Sequence, residues 1–342
     1  MSKLLKRLST LSVGGLAFVA ASAGAEVVLK YSNWFPAGHV INTEVVGPWI
    51  ADVERVTEGR VKVVTLPKVV GTVPSQYDVV RDGLADIVLM VPGYTPDRFP
   101  LTEVMELPFL GDRASVRAPV THRFYKDHLE KYGEYRNVHV IALMTGSAAY
   151  VYNTEVKVIQ IDDFKGLKLR SPSGTSSKVI AMLGGIPVAK PASEIYELAS
   201  GGIIDGALLP PDAVAGFNLG DALPNTTLIP GGIAATVTAL VINRDKWNSL
   251  SQADREVIER VSGEVVARRS GSAHDRESQK ALETYREAGH WIGHGSPELV
   301  AEMKRRIKPL EDAWFDKARR KGVQDPEKLL EILRKAIGTS PE

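Results

Sequence analysis

Arg170 stands where a charged side chain could hold a ligand. It follows a short strand-like run, residues 167–169, and Ser171-Pro172-Ser173-Gly174 breaks that strand directly behind it. A guanidinium is permanently charged and offers a planar fork of donors, which suits a carboxylate held by two parallel hydrogen bonds. A surface salt bridge is the alternative use of a lone arginine. The surrounding pattern weighs toward the ligand and leaves both readings open. Ser176-Ser177 can cap a helix carrying Val179, Ile180, Met182 and Leu183, and Gly184-Gly185 closes it. Pro187-Val188 opens a second strand, Ser193 can cap a second helix ended by Gly201-Gly202, and residues 203–207 read as a third strand. Strand, helix, strand, helix, strand is a doubly wound α/β unit. Ligands of such sheets sit beyond the carboxyl ends of the strands, where Arg170 falls.

Chemistry of other kinds lacks its residues. The seven histidines are scattered singly, without metal-ligand spacing. No nucleophile elbow, phosphate loop or dinucleotide fingerprint precedes a helix, and Gly146-Ser147 and Gly174-Thr175 have no histidine nearby to act as base. Glu103 and Glu106 are spaced like a surface pair. No cofactor is expected, and no catalytic residue.

The series FKGLKLRSP, LGGIPV and SEIYELASGGIIDGALLP, covering about fifty residues, resembles the solute-binding proteins of tripartite ATP-independent periplasmic (TRAP) transporters, the DctP family. The resemblance implies that Arg170 pairs with a substrate carboxylate across a cleft. Many relatives carry Glu-Asn before the proline that follows Asp-Gly; here Leu208-Leu209 stand there, so the pocket is expected to be more apolar. The loop Asn33-Trp34-Phe35-Pro36-Ala37-Gly38-His39 follows a strand over residues 26–32 and resembles the family's N-x-x-P-x-x-H loop bordering the cleft. Trp34 is the expected ligand wall or indole donor there, while His39 is expected to contact a helix terminus. A buried strand over residues 85–91 leads to Tyr94, a candidate wall or hydroxyl donor. Ser147 follows another strand, residues 138–144, and could donate near a hinge; Ala148-Ala149 stand where some acid-sugar-binding relatives carry a second arginine. Leu209, with Pro210 or Asp212, would line the opposite wall.

The elements that must position these residues fit two α/β lobes, each doubly wound, and the resemblance implies a type II-like periplasmic binding-protein fold with hinge strands and a long domain-bridging helix over residues 252–289. The expected division is residues 26–150 with about 236–270 in lobe I, and 151–235 with about 271–342 in lobe II. A chain of 342 residues allows two such units. A formal charge of +1 provides no field for nucleic acid. Lys3, Lys6 and Arg7, an apolar stretch over residues 8–21 and Ala23-Gly24-Ala25 make a cleavable signal peptide over residues 1–25, and export to the periplasm is expected. With no cysteine, neither a lipid anchor nor a disulfide is expected.

The function expected is capture of a small organic anion (2-oxo, 2-hydroxy, dicarboxylic or aromatic) and its delivery to a TRAP-type membrane permease. A periplasmic enzyme with Asp212 as base, or a ligand-sensing partner of a membrane kinase, are the alternatives.

Overall fold

The structure, a computed structural model, describes residues 26–339; the expected leader lies outside the described residues. The chain opens with β1 (Val27–Ser32), α1 (Gly47–Val56), β2 (Val61–Thr65), α2 (Gln76–Arg81), β3 (Ile87–Met90), α3 (Ala114–Phe124) and β4 (Val138–Thr145). It continues through β5 (Tyr150–Asn153), β6 (Lys168–Ser171), α4 (Gly174–Leu183), β7 (Ile186–Ala189), α5 (Ile195–Ser200), β8 (Gly206–Leu209), α6 (Pro211–Gly216) and β9 (Asn225–Leu228). Then come β10 (Val237–Asn243), α7 (Arg244–Ser249), α8 (Gln252–Arg260), α9 (Glu264–Glu287), β11 (Trp291–His294), α10 (Pro297–Ile307), α11 (Pro309–Arg320) and α12 (Pro326–Ile337).

Two sheets result, one ordered β2-β1-β3-β10-β4 and the other β11-β9-β5-β8-β6-β7. Central strands are apolar almost throughout: Ile87-Val88-Leu89-Met90 is buried at every residue, as a strand covered on both faces must be. In each sheet one strand runs against the rest. β10 is antiparallel to β3 and β4, and β5 is antiparallel to β8 and β9. These are the two strands that arrive from the other sheet. The chain leaves β4 at its carboxyl end and enters β5, then leaves β9 and enters β10. Each arriving strand therefore starts at the cleft and runs away from it, opposite to its parallel neighbours. The carboxyl ends of the parallel strands of both sheets thus face one cleft.

The two crossings lie side by side. Gly146 N–H donates to Thr236 O at 3.2 Å, Ala149 N–H to Ala234 O at 2.9 Å and Ile233 N–H to Ala149 O at 3.1 Å. A third connection is α9, about 36 Å long at 1.5 Å per residue. It packs against α3 and β4 beside the first sheet and against α6 beyond the second, which is the domain-bridging helix the sequence led one to expect. The C-terminal helices also reach both sides: α12 packs on α3, α10 and α11 pack on α4, and the Trp314 indole N–H donates to Pro100 O.

Several local expectations shift. Ser173, rather than Ser176 or Ser177, caps α4, its Oγ accepting from Ser176 N–H. Ser193 makes no cap; it sits in a single 3₁₀ turn ahead of α5. The third strand of the Arg170 unit starts at Gly206: Gly202 and Ile203 are exposed while Ile204 is buried, and the Asp205 carboxylate accepts from Lys168 N–H at 2.8 Å. A Cβ at Gly206 would lie 2.2 Å from Tyr152 O, so only glycine lets β5 approach. The helix expected over residues 252–289 is two helices, broken where Gly263 adopts φ +58° and its N–H donates to Ile141 O. β9 carries too little apolar alternation to have been anticipated.

Candidate functional site

Every site residue singled out from the sequence follows, or ends, a parallel strand at the cleft. Trp34 comes after β1, Tyr94 after β3 and Ser147 after β4; Arg170 is the penultimate residue of β6, and Leu209, Pro210 and Asp212 stand at the end of β8. All seven line one cavity between the sheets, with about 560 Å³ of unfilled space, part of it open to solvent.

Arg170 is 2% exposed, an unusual place for a charge. Its Nε–H donates to Lys190 O at 2.7 Å, Nη1 reaches Leu208 O at 3.5 Å and Nη2 reaches Tyr94 Oη at 3.3 Å. No carboxylate pairs with it among the described residues. Burial lowers its pKa from the ordinary arginine value, with the Tyr94 oxygen opposing, yet a guanidinium stays charged in proteins. The cavity therefore holds a positive charge without a counter-ion. Tyr94 Oη accepts from Arg170 and also from Ala192 N–H at 3.0 Å. With its lone pairs engaged, the phenol proton is left to donate, and it finds no acceptor among the described residues.

The wall beside this pole is aromatic. Trp34 stacks on Phe35 with ring centroids 3.7 Å apart, and Phe217 lies 6.3 Å from Trp34 and 5.1 Å from His39. The Trp34 indole N–H donates to Leu89 O at 2.8 Å. Its ring face, and not its N–H, is thus what is free for the cavity. His39 does meet a helix terminus, its Nδ1 accepting from Ile41 N–H at 3.2 Å, but its ring also lines the cavity. Burial drives its pKa down to about 4, so the ring is neutral.

The far side is polar. The Asp212 carboxylate, 3% exposed, meets His274 Nδ1 at 2.7 Å and accepts from Ser278 Oγ at 2.8 Å. Ser278 Oγ is also 2.9 Å from Ser147 Oγ. Burial alone would raise Asp212, but the imidazolium beside it holds its carboxyl below the ordinary aspartate value. Burial alone would lower His274, but Asp212 holds it above the ordinary histidine value. The two form an internally compensated ion pair.

His274 and Ser278 escaped the sequence reading. They lie four residues apart on α9, hence on one face, but α9 is polar nearly all round and nothing local says which stripe meets the cleft. Glu106 corrects an expectation too. It is 2% exposed, not on the surface, and neither carboxyl oxygen makes a hydrogen bond of ordinary geometry. Burial pushes its pKa up to about 8, with the Ser173 hydroxyl and the backbone at Val237 pulling back. Its partner in spacing, Glu103, pairs with Lys317 Nζ at 2.8 Å. Among the described residues no group of acidic, histidine or cysteine side chains is arranged to hold a metal ion.

A model of the DctP family, bacterial extracellular solute-binding protein family 7, matches residues 31–318. The chain belongs to that family. It is a solute-binding protein of the TRAP type, with the two-lobed α/β fold of that class. A TRAP periplasmic solute-binding protein of Bordetella bronchiseptica, solved with bound (R)- and (S)-mandelate, is similar at 33% identity with a TM-score of 0.88, covering 91% of this chain and 99% of its own. A marine metagenome TRAP solute-binding protein specific for aromatic acid ligands, in complex with 3-hydroxybenzoate, is 29% identical with a TM-score of 0.86, covering 92% of this chain and 99% of its own. The outer membrane transporter protein TsaT of Comamonas testosteroni is 28% identical over 325 residues, 95% of this chain and 96% of that protein. No helix among the described residues is long and apolar enough to cross a membrane.

Proposed function

We propose that the protein is the extracytoplasmic receptor of a TRAP permease and that its ligand is an aromatic monocarboxylate held between the sheets. One observation carries this: the buried Arg170 guanidinium, without a carboxylate partner, faces the same cavity as the Trp34, Phe35 and Phe217 rings. The carboxylate takes Arg170 and the Tyr94 O–H, and the ring lies against the aromatic wall. Desolvation strengthens the charge-assisted bonds. One free positive charge matches one negative charge. A second carboxylate would meet the Asp212 side or the aromatic wall, where nothing compensates it, so dicarboxylates are disfavoured. Ligands named for the Bordetella and marine relatives, mandelate and 3-hydroxybenzoate, support the same class.

Each of the seven residues expected from the sequence has a proposed role: Arg170 and Tyr94 as donors, Trp34, Leu209 and Pro210 as walls, Ser147 and Asp212 at the polar side. An enzymatic role for Asp212 is disfavoured, because a carboxylate already accepting from His274 and Ser278, with a depressed pKa, is a poor base. Residues 1–25 are proposed to direct export to the periplasm and to be cleaved. The division of the chain into lobes at residues 150–151, 235–236 and 270–271 is proposed likewise.

Isothermal titration with benzoate and succinate tests the reading, with Arg170→Ala alongside. Benzoate binding by the parent and not by the variant is expected. Succinate binding in preference to benzoate, or equal benzoate binding by Arg170→Ala, would refute it.

A further inference from the structure

Two threonine hydroxyls on a central strand have no partner in the fold. β10 lies between β3, which leads to Tyr94, and β4, which leads to Ser147. Where it enters from the cleft, Ala235, Val237 and Ala239 are buried while Thr236 and Thr238 are half-buried, the alternation of a strand with one face open. Both threonines line the cavity that holds Arg170. Their backbone is engaged by the sheet: Thr236 O accepts from Gly146 N–H at 3.2 Å, and Thr238 pairs with Met144 of β4. Neither hydroxyl makes a hydrogen bond among the described residues, and neither is sealed from solvent. Valine, close in shape and without a polar group, would serve the strand as well at both positions.

We infer that Thr236 and Thr238 are specificity-determining residues that bind a hydroxyl group carried by the ligand in addition to its carboxylate, so that the substrate class is the hydroxylated aromatic acids. The inference rests on the aromatic monocarboxylate reading and adds a second recognition point. Arg170 and Tyr94 offer the carboxylate donors only. A threonine hydroxyl both donates and accepts, and its complement is a group that does the same. Solvent satisfies the threonines while the cleft is open. A ligand that replaces the solvent with a bare ring edge leaves them buried and unpaired, which costs affinity, whereas a ligand hydroxyl takes over the bonds. Such a site discriminates chiefly by penalising the analogue that lacks the group. Its place on a central strand also makes the pair rigid, since β-branched side chains are stiff at χ1 and the ladder holds the backbone on both sides.

The test is titration calorimetry of the parent protein with matched pairs of acids: mandelate against phenylacetate, and each ring isomer of hydroxybenzoate against the fluorobenzoate of the same pattern. In at least one pair the hydroxylated acid should bind about fivefold or more tightly, the scale of one net hydrogen bond. Which pair does so tells whether the hydroxyl stands on the ring or beside the carboxylate. If every pair agrees within that factor while the acids bind, the threonine assignment is overturned and the aromatic carboxylate reading stands. If none of the acids binds, both fall. The double variant Thr236→Val, Thr238→Val keeps the β-branched shape and removes both hydroxyls. Its ratio for the preferred pair should fall to about one, with the unhydroxylated acid binding as well as before or better. A ratio retained in the folded variant, or equal weakening of both acids, overturns the assignment. Thr236→Ser with Thr238→Ser retains the hydroxyls and should keep the preference; its loss there would trace the effect to the methyl groups and sink the idea. The parent comparison needs no variant, so loss of folding in either mutant leaves the first criterion in force.

Discussion

Tyr94 Oη lies 3.3 Å from Arg170 Nη2, and this contact joins the loop after β3 of one sheet to β6 of the other. The same oxygen accepts from Ala192 N–H, so one phenol holds two groups across the cleft and keeps its proton for a third.

Arg170→Ala removes the charge that faces the cavity. We expect at least about a hundredfold weaker binding of an aromatic carboxylate, since two hydrogen bonds to a charged group contribute about 1.5–3 kcal/mol each. Arg170→Lys should recover only part, because an ammonium cannot reproduce the fork. Titration calorimetry on both variants, with circular dichroism to verify folding, checks this. Parent-like affinity in Arg170→Ala would make the residue structural.

Closure of the cleft depends on a glycine. Gly216 ends α6 beyond the second sheet, and a Cβ there would stand 2.4 Å from the His39 ring, in the loop after β1 of the first. The three atoms nearest to that position all belong to the His39 ring. Alanine at 216 should leave the unligated protein as stable as the parent or slightly more so, as alanine suits a helix better. Ligand affinity should fall about tenfold, the cost of overpacking. Small-angle scattering with saturating ligand should show a particle more extended than the liganded parent.

Glu106 sets a pH dependence. Its pKa rises from the ordinary 4.5 to about 8 on burial. Between those values the folded state holds a proton that the unfolded state has lost, so stability falls as pH climbs through that window and levels off above it. Nearby Glu103 adds to the rise and Lys317 opposes it. Glu106→Gln keeps the shape and removes the titration. Urea unfolding from pH 5 to 9 should show a shallower decline for the variant, and an advantage over the parent at pH 8.5 on the order of 1 kcal/mol or more. Identical slopes for the two proteins would mean that Glu106 titrates normally.

The Asp212–His274 pair should behave as a buried ion pair does when cut on one side. His274→Ala leaves a buried carboxylate with a single serine donor and should cost about 3–5 kcal/mol. The double variant Asp212→Asn, His274→Ala removes the stranded charge and should be more stable than the single one. Denaturant unfolding of the parent, both single variants and the double variant closes the cycle. A double variant no more stable than His274→Ala alone would speak against an ionised Asp212.

How much of this was legible beforehand follows from where each signal lives. Arg170, Trp34, Tyr94, Ser147, Leu209, Pro210 and Asp212 each sit where a strand-forming run meets a turn, and that junction is written in neighbouring residues. Parallel strands bring such junctions to one edge, so strand ends read along the chain become neighbours in space. The family pattern in residues 163–211 and the doubly wound order were legible for the same reason: both are local.

Direction and partnership were not. Whether the Trp34 indole N–H points at a ligand or at Leu89 O is decided by how β3 packs beside β1. That Glu106 is buried depends on α4 and β10 closing over it, elements far along the chain from it. His274 and Ser278 look in sequence like any other polar residues of a charged helix. Only the docking of α9 against α3, β4 and α6 turns that one stripe of it to the cleft, where Asp212 and Ser147 wait. Periodicity along a chain specifies which residues share a face; which face is buried depends on surfaces that the chain itself brings together only when it folds.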